Sequence, residues 1–161
     1  RLWRGTTDGR FEPVVPDGGT NESIVLTSRG AAFGDLDDDG GIDIVVVNRD
    51  GPANVLRNLA SSRDDAPRHW IGLRLLEHSG SDALGARVDL RAGSVTHRRD
   101  VQPAYSYCTA NDPRVQIRLG AANTVDELHV RWSDGVREAF DPVAVDRYHT
   151  LRRGSGRTVA D

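Results

Sequence analysis

Five aspartates crowd the nine residues from position 35 to position 43, and they are the side chains of this sequence best suited to binding chemistry. Two carboxylates about 4 Å apart repel by roughly 1 kcal/mol in bulk water, and by more where the dielectric constant is lower. The crowding therefore calls for a cation, a basic partner or full exposure to solvent. An apolar run at residues 44–47 follows at once, so the acidic segment leads directly into an element with a buried face.

The spacing of the aspartates favours calcium. Counted from Asp35 as position 1, carboxylates occupy positions 1, 3, 5 and 9, and Gly40 occupies position 6. Odd positions of such a turn converge on one point, and the glycine permits the sharp reversal that closes the ring. Calcium accepts about six to eight oxygen ligands in a tolerant geometry. The predicted ligands of a Ca²⁺ ion are the carboxylates of Asp35, Asp37, Asp39 and Asp43 and the main-chain carbonyl of Gly41.

The acidic loop differs from an EF-hand. Val46 occupies position 12, where an EF-hand carries a bidentate glutamate, and residues 42–47 predict a strand rather than a helix. A structural role for the ion is therefore favoured over a sensor role. Asp38 falls out of phase with the ring, and we expect its side chain to face water. The alternative is a solvated acidic turn without a metal, since Asp and Gly are common in turns.

Apolar and polar residues alternate along most of the chain, which is the pattern of half-buried β-strands. The alternation is clear at residues 87–92, 115–119 and 127–132. The sequence Ser-Asp-Gly at 133–135 predicts a tight hairpin turn into the next strand. No segment keeps a helical period over three turns, so the predicted fold class is all-β.

A polar stretch with a proline divides the chain in two. We predict a first part at residues 1–59, a linker at 60–68, a second domain at 69–154 and a tail at 155–161. About three or four strands in the first part would leave an unpaired sheet edge, so we expect further sheet upstream, as in a propeller of repeated blades. The chain begins with an arginine rather than a methionine, and we expect it to be a piece of a longer protein.

Residues 29–43, RGAAFGDLDDDGGID, resemble the FG-GAP (VCBS-type) repeat of integrin-like β-propellers. In that family a D-x-D-x-D-G-x-x-D loop between two blade strands holds calcium, and the four predicted carboxylate ligands match it residue by residue. Residues 2–11 are similar to the end of a preceding repeat, and residues 48–58 resemble the closing strands of a blade. The resemblance implies the end of a β-propeller whose remaining blades belong to the parent chain.

The chain from residue 69 onward contains GARV at 85–88, NDPR at 111–114, LG at 119–120 and VDELHVRWSDG at 125–135. In these residues and their spacing it resembles the ASPIC/UnbV domain. The family usually follows FG-GAP repeats, in vertebrate cartilage acidic proteins and in bacterial proteins, some of them encoded in enediyne-biosynthesis clusters. The resemblance implies an antiparallel β-sandwich-like domain and supplies no catalytic residues. The loop YSYCTA at 105–110 departs from the family, where we expect a Ser/Gln-rich loop.

Composition and motifs argue against several function classes. A formal net charge of −3 predicts neither nucleic-acid binding nor attraction to a membrane surface. No apolar run approaches the ~20 residues that span a bilayer. The sequence contains no nucleophile elbow, P-loop or dinucleotide fingerprint, and its five histidines lack zinc spacing. Cys108, the single cysteine, could be a nucleophile beside a histidine, but we favour a small, buried structural side chain.

Two surface features leave alternatives open. Tyr105 and Tyr107 could stack on a sugar or be half-buried sheet residues. A set of outward-facing arginines could form a basic patch for an acidic polysaccharide or a protein, or could be balanced by the acids at positions 89, 100 and 127. These arginines are Arg87, Arg91, Arg98, Arg99, Arg118 and Arg131.

The observations together favour a non-enzymatic, calcium-stabilised adhesion or interaction module located outside the cell, in the periplasm or at the cell surface. Its expected partners are a protein or a polysaccharide, together with the remaining propeller blades. We expect no nucleic-acid partner and no insertion into a membrane. The alternative is a cytoplasmic protein of natural-product (enediyne) biosynthesis that acts in or beside a tailoring step.

Overall fold

β-Strands are the only regular secondary structure in the described parts of the chain, which are residues 3–15, 25–59 and 68–160 of a computed structural model. The all-β prediction is confirmed. The strands in chain order are β1 (Trp3–Gly5), β2 (Phe11–Pro13), β3 (Ser28–Gly34), β4 (Asp43–Asn48), β5 (Asn54–Leu56), β6 (His69–Leu76), β7 (Arg87–Ala92), β8 (Val95–Asp100), β9 (Val115–Gly120), β10 (Glu127–Arg131), β11 (Arg137–Phe140), β12 (Tyr148–Arg152) and β13 (Arg157–Thr158).

Five strands of the second domain form an antiparallel sheet in the order β13-β11-β10-β7-β8. The predicted hairpin joins β10 to β11. In its turn the Trp132 N–H donates to the Val136 carbonyl at 2.8 Å, and Gly135 has a φ of +94°, a value that glycine adopts without steric cost. β13 lies in the segment predicted as a tail and forms one edge of this sheet.

The smaller sheet of the second domain has the order β12-β6-β9 and is mixed. β9 runs antiparallel to β6, whereas β12 runs parallel to β6, with Tyr148 opposite Gly72. The expectation of a wholly antiparallel domain is therefore wrong at this strand. Parallel neighbours need a long connection between them, and the strands from β7 to β11 lie between β6 and β12 in the chain and provide it.

The two sheets of the second domain share one apolar core. Ile71 and Leu73 of β6 and Ile117 of β9 contribute to it from the smaller sheet, and Val88 and Leu90 of β7 contribute from the larger sheet. All five side chains are fully buried. Burying a side chain of this size contributes about 1.5–3 kcal/mol relative to leaving it exposed, so this core is the main source of stability in the second domain.

The first part contains a hairpin of β1 and β2 and a separate three-stranded sheet in the order β3-β4-β5. β4 follows the acidic segment, as predicted, and pairs antiparallel with β3. The buried side chains of residues 3–15 and 25–59 are polar, namely Asp35, Asp43 and Asn48, and none of the core hydrophobic residues comes from these ranges. The three-stranded sheet therefore depends on polar contacts and on the surface that covers it.

Candidate metal centre

The acidic segment forms a tight loop between β3 and β4, and hydrogen bonds to the Asp43 carboxylate close the base of this loop. One carboxylate oxygen of Asp43 accepts the Leu36 N–H at 2.9 Å, and the other accepts the Asn58 N–H at 2.7 Å, just beyond β5. Gly40 has a φ of +83°, and a Cβ at this position would overlap the indole ring of Trp70. Only glycine fits there, so the loop is closed at its base and lies against the second domain at its turn.

Three of the predicted ligands come together in the structure. One carboxylate oxygen from each of Asp35, Asp37 and Asp39 lies within 4.8 Å of the other two. Asp35 is buried, Asp39 is half-buried and Asp37 is exposed, so the cluster is open to solvent on one side. Asp43 lies outside this group, and the Gly41 N–H donates to a carboxylate oxygen of Asp39 at 2.6 Å.

The donor set of this cluster fits a hard divalent cation. Three converging carboxylates supply oxygen ligands and negative charge, which calcium prefers over the nitrogen and sulfur ligands that suit zinc or copper. Asp35, Asp37 and Asp39 would hold the ion. A bound cation would offset the repulsion among these carboxylates and hold the turn in its closed form.

Two arginines approach the same loop from outside the cluster. Arg57 forms an ion pair with Asp37, and Arg114 Nη1 donates to Asp38 Oδ1 at 2.9 Å. Asp38 lies outside the cluster and its side chain is 64% exposed, as expected, but it also pairs with a residue of the second domain. Exposed ion pairs contribute about 0–1 kcal/mol each, so these arginines relieve part of the repulsion within the loop.

Asp35 is the residue through which the loop contacts the second domain. Its side chain is 3% exposed, and its carboxylate accepts the N–H groups of Asp39 and Gly40 from within the loop. From the second domain it accepts hydrogen bonds from Gln116 Nε2 at 3.0 Å and from the Tyr148 hydroxyl at 2.8 Å. Burial and the hydrogen bond to the Asp35 carboxylate raise the pKa of Tyr148 well above its usual value, so the phenol stays protonated and donates.

Arg114 completes the contact between the two parts. Its guanidinium donates to Asp112 Oδ2 at 2.7 Å and to the main-chain carbonyl of Asp35 at 3.0 Å, and it lies 4.0 Å from the centre of the Tyr148 ring. Burial disfavours the charged guanidinium, but hydrogen bonds to Asp112 and Asp38 outweigh burial and raise the pKa of Arg114. The guanidinium is thus a fixed positive charge that bridges the acidic loop and the second domain.

A loop of the second domain covers the open edge of β3. Ser106 Oγ donates to the Ala31 carbonyl at 2.6 Å, and the Phe33 N–H donates to Asn111 Oδ1 at 2.8 Å. The Asp112 N–H donates to the Phe33 carbonyl at 3.2 Å. Unpaired backbone groups on a strand edge are a liability that proteins cover, and here the second domain satisfies them on β3.

The same covering loop carries the cysteine and the two tyrosines that the sequence analysis singled out. Cys108 is exposed and has a φ of +50°, so the prediction of a small, buried side chain is wrong. Tyr105 and Tyr107 are 58% and 74% exposed, so they are not half-buried sheet residues. The chain makes a turn between Ser106 and Thr109 and follows β3 instead of continuing as a strand.

Three of the six outward-facing arginines of the second domain are balanced by acids, as one of the two alternatives predicted. The pairs that involve the acids at positions 89, 100 and 127 are Arg98–Asp89 at 2.6 Å, Arg87–Asp100 at 2.7 Å and Arg91–Glu127 at 2.7 Å. Half of the predicted basic patch is thereby neutralised.

Sequence reasoning missed the second-domain residues of this centre. Arg114 belongs to the NDPR motif, which carried a family resemblance but no assigned role. Gln116 occupies an ordinary polar position of the alternating strand β9. Tyr148 had no signal of its own. These last two residues lie 81 and 113 positions from Asp35 in the chain, so no local pattern could have linked them to it.

The family model described as ASPIC and UnbV matches residues 76–158, which is more than half of the chain. The chain belongs to the ASPIC and UnbV family. The matched span includes Arg114, Gln116 and Tyr148, so the residues that contact Asp35 from the second domain belong to the ASPIC/UnbV domain, whereas the acidic loop lies outside it. No curated protein matches this chain. Within the described ranges there is no helix with the length and apolar character needed to cross a membrane.

Proposed function

We propose that this ASPIC/UnbV protein is a non-enzymatic, calcium-stabilised interaction module. Its acidic loop is the calcium loop of an FG-GAP/VCBS blade at the end of a β-propeller. The observation that carries the proposal is the convergence of carboxylate oxygens from Asp35, Asp37 and Asp39 within 4.8 Å of one another. The role of the ion is structural, because it offsets the repulsion within the loop and fixes the turn that contacts the second domain.

The module acts outside the cell or at the cell surface, with a protein or a polysaccharide as its partner. Calcium sites of extracellular modules have dissociation constants on the order of 10⁻⁴ to 10⁻³ M, which suits an open cluster of three carboxylates. The exposed rings of Tyr105 and Tyr107 offer apolar faces with polar tips, as binding surfaces commonly do. Hydrogen bonds of Ser106 and Asn111 with β3 hold the covering loop that carries these rings.

Titration of calcium into the 161-residue chain, followed by calorimetry, tests the metal site. The wild-type chain is expected to bind calcium with a dissociation constant on the order of 10⁻⁴ to 10⁻³ M. Asp39→Ala is expected to abolish binding, because it removes one of the three converging carboxylates. Asp38→Ala is the matched control, since Asp38 is the neighbouring aspartate but pairs with Arg114 outside the cluster.

Two results would contradict the proposal. If the wild-type chain gives no calcium-dependent heat, it does not bind calcium, and the proposed calcium-stabilised function is wrong. If Asp38→Ala loses calcium binding and Asp39→Ala keeps it, the assignment of the aspartates that face the ion is wrong.

A further inference from the structure

We infer that Tyr148 and Gln116 are positioning residues for the acidic loop, so that the ASPIC/UnbV domain sets the calcium affinity of a site whose ligands all lie in the first part of the chain. The inference rests on the proposed function. It gives the ASPIC/UnbV domain a role that neither the family match nor the spacing of the aspartates assigns to it.

The two carboxylate oxygens of Asp35 have unequal hydrogen bonding. Oδ2 accepts three donors, which are the Gly40 N–H at 2.9 Å, Gln116 Nε2 at 3.0 Å and the Tyr148 hydroxyl at 2.8 Å. Oδ1 accepts only the Asp39 N–H, at 3.2 Å, among the described hydrogen bonds. A carboxylate has about four acceptor sites in total. Oδ2 is therefore saturated by the second domain and the turn, while Oδ1 retains room for a cation.

The Tyr148 hydroxyl is a rigid donor because its ring is held on three sides. The ring lies so close to Gly72 that a Cβ there would overlap it. Trp70 makes an edge contact with a centroid separation of 5.0 Å and an interplanar angle of 62°, and the Arg114 guanidinium lies 4.0 Å from the ring centre. A donor fixed in this way orients the Asp35 carboxylate without a further loss of side-chain freedom.

The turn of the loop rests on the same aromatic pair. Gly40 lies against Trp70, and Asp35 is bonded to Tyr148, so these two contacts of the acidic loop meet neighbouring side chains of β6 and β12. Residues that hydrogen-bond a metal ligand orient it, and their mutation typically weakens metal affinity about 10–100-fold. Tyr148 and Gln116 stand in that relation to Asp35, although they come from the other part of the chain.

Calcium titration of Tyr148→Phe and Gln116→Leu tests the inference, with Gln102→Leu as the matched control. Tyr148→Phe keeps the ring and its packing but loses the hydroxyl that bonds Asp35, whereas Gln102 is an exposed glutamine that donates to the Ala104 carbonyl. We expect the calcium dissociation constant to rise about tenfold in Tyr148→Phe and to stay unchanged in Gln102→Leu. Gln116→Leu, which removes the other donor, should weaken binding in the same direction.

The melting temperature in the presence of a chelator separates positioning from folding. The inference is supported if Tyr148→Phe binds calcium more weakly but melts, in the presence of a chelator, at a temperature close to that of the wild type. Should Tyr148→Phe fail to fold, the same comparison is made with Gln116→Leu. Unchanged or tighter calcium binding in the variants overturns the inference. A lower melting temperature in the presence of the chelator, with an unchanged calcium dissociation constant, overturns it as well. If the wild-type chain binds no calcium, the proposed function itself is overturned. The wild-type titration is therefore done before any variant is compared.

Discussion

The three-stranded sheet of the first part and the ASPIC/UnbV domain bury different kinds of side chain. In the ASPIC/UnbV domain the core is apolar, and Val88, Leu90 and Ile117 are completely inaccessible to solvent. In the three-stranded sheet and its acidic loop the most buried side chains are those of Asp43 and Asp35, and the larger apolar residues of the sheet stay partly or fully exposed. One region is held by apolar burial, and the other is held by hydrogen bonds to carboxylates.

The difference indicates which region depends on the other. An apolar core contributes stability from its own strands, whereas a buried carboxylate is tolerated only where donors or a cation satisfy it. Two of the donors to Asp35 come from Gln116 and Tyr148, and Arg114 supplies a further bridge to the loop. We therefore expect the ASPIC/UnbV domain to remain folded when the three-stranded sheet is disturbed, and the sheet to lose order when the domain is disturbed.

The largest effect is expected from Leu73→Ala in the apolar core of the second domain. Removing a fully buried leucine typically lowers the free energy of unfolding by about 2–5 kcal/mol, and Leu73 is fully buried. Val55→Ala in β5, where the side chain is 61% exposed, should change that free energy by no more than about 0.5 kcal/mol. Urea unfolding of both variants measures the two values. Equal losses would contradict the assignment of the main core to the second domain.

A smaller and localised effect is expected from Arg114→Ala. The change removes hydrogen bonds to Asp38, Asp112 and the Asp35 carbonyl, and bonds of a charged group contribute about 1.5–3 kcal/mol. Hydrogen exchange should become faster in β3 and β4 while the central strands β7 and β10 stay protected. Arg98→Ala, which removes an exposed ion pair on β8, is the control. Uniform deprotection of all strands would show that the two regions unfold as one unit.

The smallest effect is expected from removing calcium. At millimolar calcium, a dissociation constant of 10⁻⁴ to 10⁻³ M corresponds to a stabilisation of about 0.4–1.4 kcal/mol. A chelator should therefore lower the melting temperature only slightly, with the change confined to strands β3 to β5. Thermal unfolding followed with and without chelator, in the wild type and in Asp39→Ala, measures the difference. A chelator effect that persists in Asp39→Ala would place the responsible ion elsewhere.

Local patterns in the sequence determined the strands and the acidic turn. The alternation at residues 87–92, 115–119 and 127–132 marks strands because successive side chains of a strand point to opposite faces, and the structure has β7, β9 and β10 there. The convergence of Asp35, Asp37 and Asp39 was equally predictable, since alternate positions of a tight turn with glycine face one point. Both signals depend on residues within about a dozen positions of one another.

Only the tertiary structure decided how the two parts contact each other. The donors to Asp35 from Gln116 and Tyr148, and the pairing of Asp38 with Arg114, join residues that lie between 76 and 113 positions apart. The loop around Cys108 turns aside because backbone groups on the edge of β3 require partners. These contacts depend on where distant strands are placed once the apolar core has formed, and a one-dimensional pattern carries no information about that placement.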